Sequence, residues 1–138
     1  MGLGTEEAGW RAAFDLSREP DALRSWLDRI VVRRRGGYCF EQNGLLFAVL
    51  QELGFDVRIQ LARVIHNQDI HPGLTHRVTL VEIDGRSYVA DVGFGPLGPP
   101  SPVPMPAAPG GDGNADTDSG ARFRVHEARP REFHMQSI

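Results

Sequence analysis

Lysine is missing from this 138-residue chain; all fifteen basic residues are arginine. Schiff-base chemistry, phosphate-loop lysines and lysine general bases go with it, because arginine is too basic to give up its proton. Cysteine occurs once, at position 39, so no internal disulfide can form, and a lone reactive thiol suits a reducing compartment. No apolar run approaches the roughly 18 residues that a membrane-crossing helix needs. Met1 to Phe14 carries Glu6 and Glu7 and no apolar core, unlike a signal peptide. Together these features predict a cytoplasmic protein. The net charge of −3 gives no general pull toward nucleic acid or an anionic membrane. The material left for catalysis is Cys39, serines, five histidines and carboxylates.

The length suits a single compact unit, and its pattern changes near residue 55. Residues 1–55 read as a helical region. Trp10, Phe14 and Leu16 are docking points of a short helix or loose arm. Pro20, at a first helical position, opens a better helix that runs to about Arg35, with Leu23, Trp26, Leu27, Ile30 and Val31 as its apolar stripe. Leu46, Val49, Leu50 and Leu53 repeat at the spacing of one buried face, and Gly54 ends that second helix.

Residues 56–138 read as an antiparallel β region. Val57, Ile59 and Leu61 alternate with Arg58, Gln60 and Ala62 as in a half-buried strand. A loop over residues 66–74 follows. Asp84-Gly85 separates two alternating runs, His76 to Ile83 and Arg86 to Asp91, and is a strong type I′ hairpin signal. With those two residues in the turn, Ile83 faces Arg86 and Val78 faces Asp91. His76 and Asp91 then share a face as diagonal neighbours, typically about 7–8 Å apart, close enough for their side chains to meet. Residues 96–109 hold seven of the ten prolines, and residues 110–120 are rich in glycine and aspartate, so 96–120 reads as an inserted loop or linker. Phe123 and Val125 alternate with Arg122 and Arg124 in a short strand before Pro130.

Cys39 lies between Gly36-Gly37 and the second helix. A lone cysteine is by default a small buried hydrophobe, but this one sits in the first turn of a helix, where free N–H groups and the helix dipole stabilise a thiolate, the reactive form. His76 can take the thiol proton, and Asp91 behind it can fix the ring's tautomer and stabilise the imidazolium. The remaining histidines, His66, His71, His126 and His134, have no Cys-x-x-Cys or His-x-x-x-His spacing, so no metal site is expected. Gly93-Phe94-Gly95 reads equally as a loop approaching a substrate or as a simple strand end.

Three segments, Arg35-Gly36-Gly37-Tyr38-Cys39-Phe40-Glu41-Gln42-Asn43, Thr75-His76 and Ala90-Asp91-Val92-Gly93-Phe94-Gly95, resemble the arylamine N-acetyltransferase family in order and separation. The resemblance covers about Leu23 to Pro100. It implies an α+β fold with a cysteine-protease-like core, N-terminal helices packing on an antiparallel β-barrel or sheet. It also implies ping-pong acetyl transfer from acetyl coenzyme A, with no metal, through a Cys39 thioester to an arylamine, arylhydrazine or N-hydroxyarylamine. His76 would be the acid and base, and Asp91 its orienter. Phe94 and Thr75 would bind the acceptor, and Pro72 and Gly73 the coenzyme. The family's third, lid domain is not evident, so the chain is expected to be a truncated member. Three alternatives stay open: a macrolactam-forming amide synthase, a transglutaminase-like hydrolase, or a remnant that serves as an interaction module. Self-association is one way to cover exposed barrel edges.

Overall fold

The computed structural model describes residues 2–3, 20–66, 68, 70–116 and 120–138. The expected helix or arm around Trp10, Phe14 and Leu16 lies outside these residues. Pro20 opens α1 (Pro20–Trp26), which does not continue to Arg35 at one pitch. Over Leu27–Val32 it widens to a π-helical turn, closed by an Arg33 N–H donating to the Asp28 carbonyl at 2.8 Å. The change of pitch rotates later residues off the expected stripe. Trp26 is buried and Leu23 and Ile30 are half-buried, whereas Leu27 and Val31 are 47% and 53% exposed.

The second helix, α2 (Cys39–Glu52), starts at the cysteine and stops before Gly54, whose φ of 90° lies in the left-handed region open to glycine. Its buried face differs from the expected one. Glu41, Asn43, Gly44 and Phe47 are buried, while Val49 and Leu53 are 47% and 69% exposed. Trp26 sets this rotation by packing where Gly44 has no side chain; a Cβ there would lie 2.5 Å from the indole Cζ3. Phe47 lies beneath the guanidinium of Arg77, 5.6 Å from ring centre to Cζ. Leu46 and Leu50 border a cavity of about 300 Å³ between α2, the sheet and Pro99–Pro102.

Among the described residues, eight strands form one antiparallel sheet: β1 (Gly2–Leu3), β2 (Asp56–Arg63), β3 (His76–Ile83), β4 (Arg86–Ala90), β5 (Val103–Pro104), β6 (Asp112–Asp116), β7 (Arg122–Arg129) and β8 (Glu132–Ser137). Their spatial order is β5-β4-β3-β2-β1-β8-β7-β6. The ends of this series approach each other at Gly113, where a Cβ would overlap the Pro104 carbonyl. Among the described residues no ladder joins β5 to β6, so of the expected barrel or sheet the fold is a curled, open sheet. Inside the curl lie Ala62, Val78, Val89, Val103, Phe123, Val125 and Met135. Burial of side chains of this kind is worth about 1.5–3 kcal/mol for each large one.

The β3–β4 hairpin has the expected register, with Ile83 opposite Arg86 and Thr79 opposite Ala90. Asp84 and Gly85 take φ of 50° and 75°, as a type I′ turn requires. The 96–120 segment is no simple loop. Val103, fully buried, pairs with Val89, and β6 pairs with β7. Pro104 lies within β5 without disrupting it because an edge strand pairs on one side only. The strand at Phe123 and Val125 forms as expected, and it continues through a turn at Pro130-Arg131 into the unforeseen β8.

Candidate active site

The site is built where α2 meets one end of β3. Gly36, at φ 71°, turns the chain after the arginine run, and Gly37 passes tightly against Glu41 and Ile30. Glu41 is only 6% exposed. It pairs with Arg29 through one oxygen and accepts the Tyr38 N–H through the other at 3.2 Å. The Gln42 side-chain amide donates to the Gly37 carbonyl at 2.7 Å. These bonds fix the turn that makes Cys39 the first helical residue. Cys39 is a free, half-buried thiol, and its Sγ donates to the Thr75 carbonyl at 3.6 Å.

Thr75 leads into His76, the first residue of β3. His76 is 4% exposed, with Nε2 2.6 Å from Asp91 Oδ2. When the ring is neutral, an Nε2–H donating to this carboxylate leaves Nδ1 as the basic nitrogen. The other Asp91 oxygen accepts the Gly93 N–H and an Asn43 N–H, each at 2.9 Å. Burial pushes the Asp91 carboxyl upward. The hydrogen bonds from His76 and Asn43, the charge of His76 and the Gly93 N–H outweigh it and hold the group below the usual carboxylate value. The site therefore keeps a buried anion behind a histidine.

The structure thus brings His76 and Asp91 into direct contact and ties Cys39 to the residue before His76. Phe94 stands edge-on to His76, ring centres 5.2 Å apart. Pro72 and Gly73 lie with Thr75 on the loop that leads into β3; Pro72 is half-buried and Gly73 exposed. Among the described residues, no group of three or more His, Cys, Asp or Glu side chains could hold a metal ion.

The sequence reading gave Asn43 no role and left Gly93 between a loop approaching a substrate and a strand end. Asn43 is fully buried between α2 and the Asp91 loop; its spacing of four from Cys39, one helical turn, was the available signal. Gly93 does make a close approach, but to the helix that carries Cys39. A Cβ on Gly93 would lie 2.6 Å from Cys39 Cα and 2.8 Å from Asn43 Nδ2.

A helix that presents a free cysteine to a curled antiparallel sheet bearing a buried His–Asp pair is the arrangement of a cysteine-protease-like core. A family model described as N-acetyltransferase matches residues 22–138. The chain is 54% identical over 69 residues to an arylamine N-acetyltransferase of Escherichia coli, a match covering 49% of this chain and 25% of that one. Its fold is similar to the arylamine N-acetyltransferase of Mycobacterium abscessus, with a TM-score of 0.69 and 26% identity over 83% of this chain and 40% of the other. It is also similar to the Mycobacterium marinum arylamine N-acetyltransferase solved in complex with CoA, with a TM-score of 0.56 and 32% identity over 83% and 46% of the two chains. The chain belongs to the arylamine N-acetyltransferase family. It spans between a quarter and a half of the length of these relatives.

Proposed function

We propose that this protein transfers an acetyl group from acetyl coenzyme A to the nitrogen of an arylamine, arylhydrazine or N-hydroxyarylamine, by a ping-pong mechanism in which Cys39 carries the group as a thioester. The observation that carries this reading is the buried His76–Asp91 contact of 2.6 Å beside the thiol-bearing first turn of α2. His76 takes the Cys39 proton, and the thiolate attacks the donor's carbonyl carbon. The C–S bond to coenzyme A breaks, and its sulfur leaves with the proton from the imidazolium. In the second half, the acceptor nitrogen attacks the Cys39 thioester and loses its proton through His76, and the Cys39 thiol is regenerated. Asp91 stays charged throughout and holds the ring. Backbone N–H groups at the start of α2 are suited to stabilise the tetrahedral oxyanion.

Phe94 is assigned to the aromatic acceptor because its ring stands against His76, with Thr75 beside the thiol. Pro72 and Gly73 are assigned to the coenzyme on family resemblance. The test is intact-mass analysis after incubation with acetyl coenzyme A. The wild type should gain one acetyl group, Cys39→Ser should gain none, and an arylamine should then remove the label. An unlabelled wild type would refute the reading.

A further inference from the structure

We infer that Asn43 is a positioning residue of this site, acting through Asp91 and setting how the helix of Cys39 meets the strand of His76. The inference rests on the acyl-transfer reading only for its purpose; its geometry stands alone. Asn43 is one helical turn beyond Cys39 and 0% exposed, so its amide must find its partners within the protein. It finds three. One N–H interaction runs to the Arg77 carbonyl at 2.6 Å and another to Asp91 Oδ1 at 2.9 Å, while its carbonyl accepts the Val92 N–H at 3.0 Å.

These partners are neighbours of the reacting groups. Arg77 follows His76 on β3, and Val92 follows Asp91. A single side chain therefore links the nucleophile's helix to the backbone beside the base and to the carboxylate behind it. Only a primary amide offers two donors and an acceptor from one short stem. Aspartate would lose both donors and set a second carboxylate against Asp91. Leucine would leave buried polar groups without their partner. With Asn43 gone, Asp91 Oδ1 keeps only the Gly93 N–H. The carboxylate is then freer to rotate away from His76, and α2 loses its polar anchor to β3.

The test is a double-mutant cycle on the full chain, combining Asn43→Ala and Asp91→Asn. It reads the alkylation rate of Cys39 by iodoacetamide against pH, alongside thermal melting. Asn43→Ala should slow alkylation at neutral pH by about ten- to a hundredfold, the scale of a misplacement near 1 Å, and move the pH profile toward that of Asp91→Asn. Added to Asp91→Asn, it should change the rate by no more than about twofold, because the two act through one contact. A full, additive loss in the Asp91→Asn background, or an unchanged profile in Asn43→Ala, would overturn the inference. Should Asn43→Ala fail to fold, Asn43→Ser, which keeps one hydroxyl donor, replaces it in the cycle and is read the same way. Alkylation needs no acetyl donor, so a protein that coupled Asn43 to Asp91 yet took no acetyl group would refute the function and leave this inference standing.

Discussion

Gly93→Ala is the most demanding single change the site offers. The added Cβ would sit 2.6 Å from Cys39 Cα, 2.8 Å from Asn43 Nδ2 and 3.1 Å from Cys39 Cβ. The nearest of these atoms is helix backbone, so no rotamer change relieves the clash. Restoring ordinary contact moves the first turn of α2 away from the Asp91 loop by about 0.8 Å. Two costs follow. Overpacking of this kind destabilises by about 1–3 kcal/mol, and displacing a nucleophile by nearly 1 Å costs about a hundredfold in rate. The assay pairs the urea-unfolding midpoint with single-turnover acetylation of Cys39, measured where the variant is fully folded. The expected result is a modest loss of stability and a loss of rate much too large to come from unfolding. Wild-type acetylation by a folded Gly93→Ala protein would show that the seam between α2 and the Asp91 loop does not set the thiol's position.

Asp91→Asn keeps the shape of the His76 contact but removes its charge, and should slow Cys39 acetylation at neutral pH by about 10²–10⁴-fold; a loss under threefold in single-turnover measurements would contradict the assigned role. Gly44→Ala drives a methyl into the Trp26 ring and should lower the melting temperature; an unchanged melting temperature would show that Trp26 does not pack there. The His126 imidazole is held below its ordinary value by burial first, then by the charges of Arg124 and His134, with Asp112 opposing them. The unfolded chain therefore binds the proton more readily, so His126 contributes stability that is complete above about pH 6.5 and lost as pH falls below it. His126→Gln should flatten the fall in urea midpoint between about pH 7.5 and pH 5.5, and an unchanged slope would exclude His126 as its source.

The parts of the site legible in the sequence are those governed by local rules. Asp84-Gly85 demands a two-residue turn, the turn sets the register, and the register puts His76 beside Asp91. Cys39 opens α2 because the glycine pair ends one element and the next begins. The buried face of α2 was not legible, because a pattern of leucines and valines reports only apolar burial. The face that packs inward carries Glu41 and Asn43, and their burial is stabilised by partners supplied from elsewhere: Arg29, Arg77, Asp91 and Val92. Gly44 fits that face through the bulk of Trp26. The strand at Val103 was hidden for a similar reason. Pro102 and Pro104 read as loop, and only the open edge of β4, with its carbonyl of Ser87 accepting the Met105 N–H at 2.9 Å, makes an edge strand of Val103 and Pro104.

The residues that hold the sheet together are not those that hold Cys39 against the start of β3. His76 shares its strand with Val78, which is fully buried in the core, so His76 moves only if the sheet moves. Cys39 has no such anchor within α2, whose buried side beyond the first two turns is little more than Phe47. Its place is set by Glu41 and Arg29 on one side and by Gly93 and Asn43 on the other. Cys39 is thus the adjustable partner and His76 the fixed one. Substitutions in the core, such as Val125→Ala, should lower stability with little change in the thiol's behaviour while the fold persists. Substitutions along the α2 seam should do the reverse, at an energetic cost small beside their effect on rate.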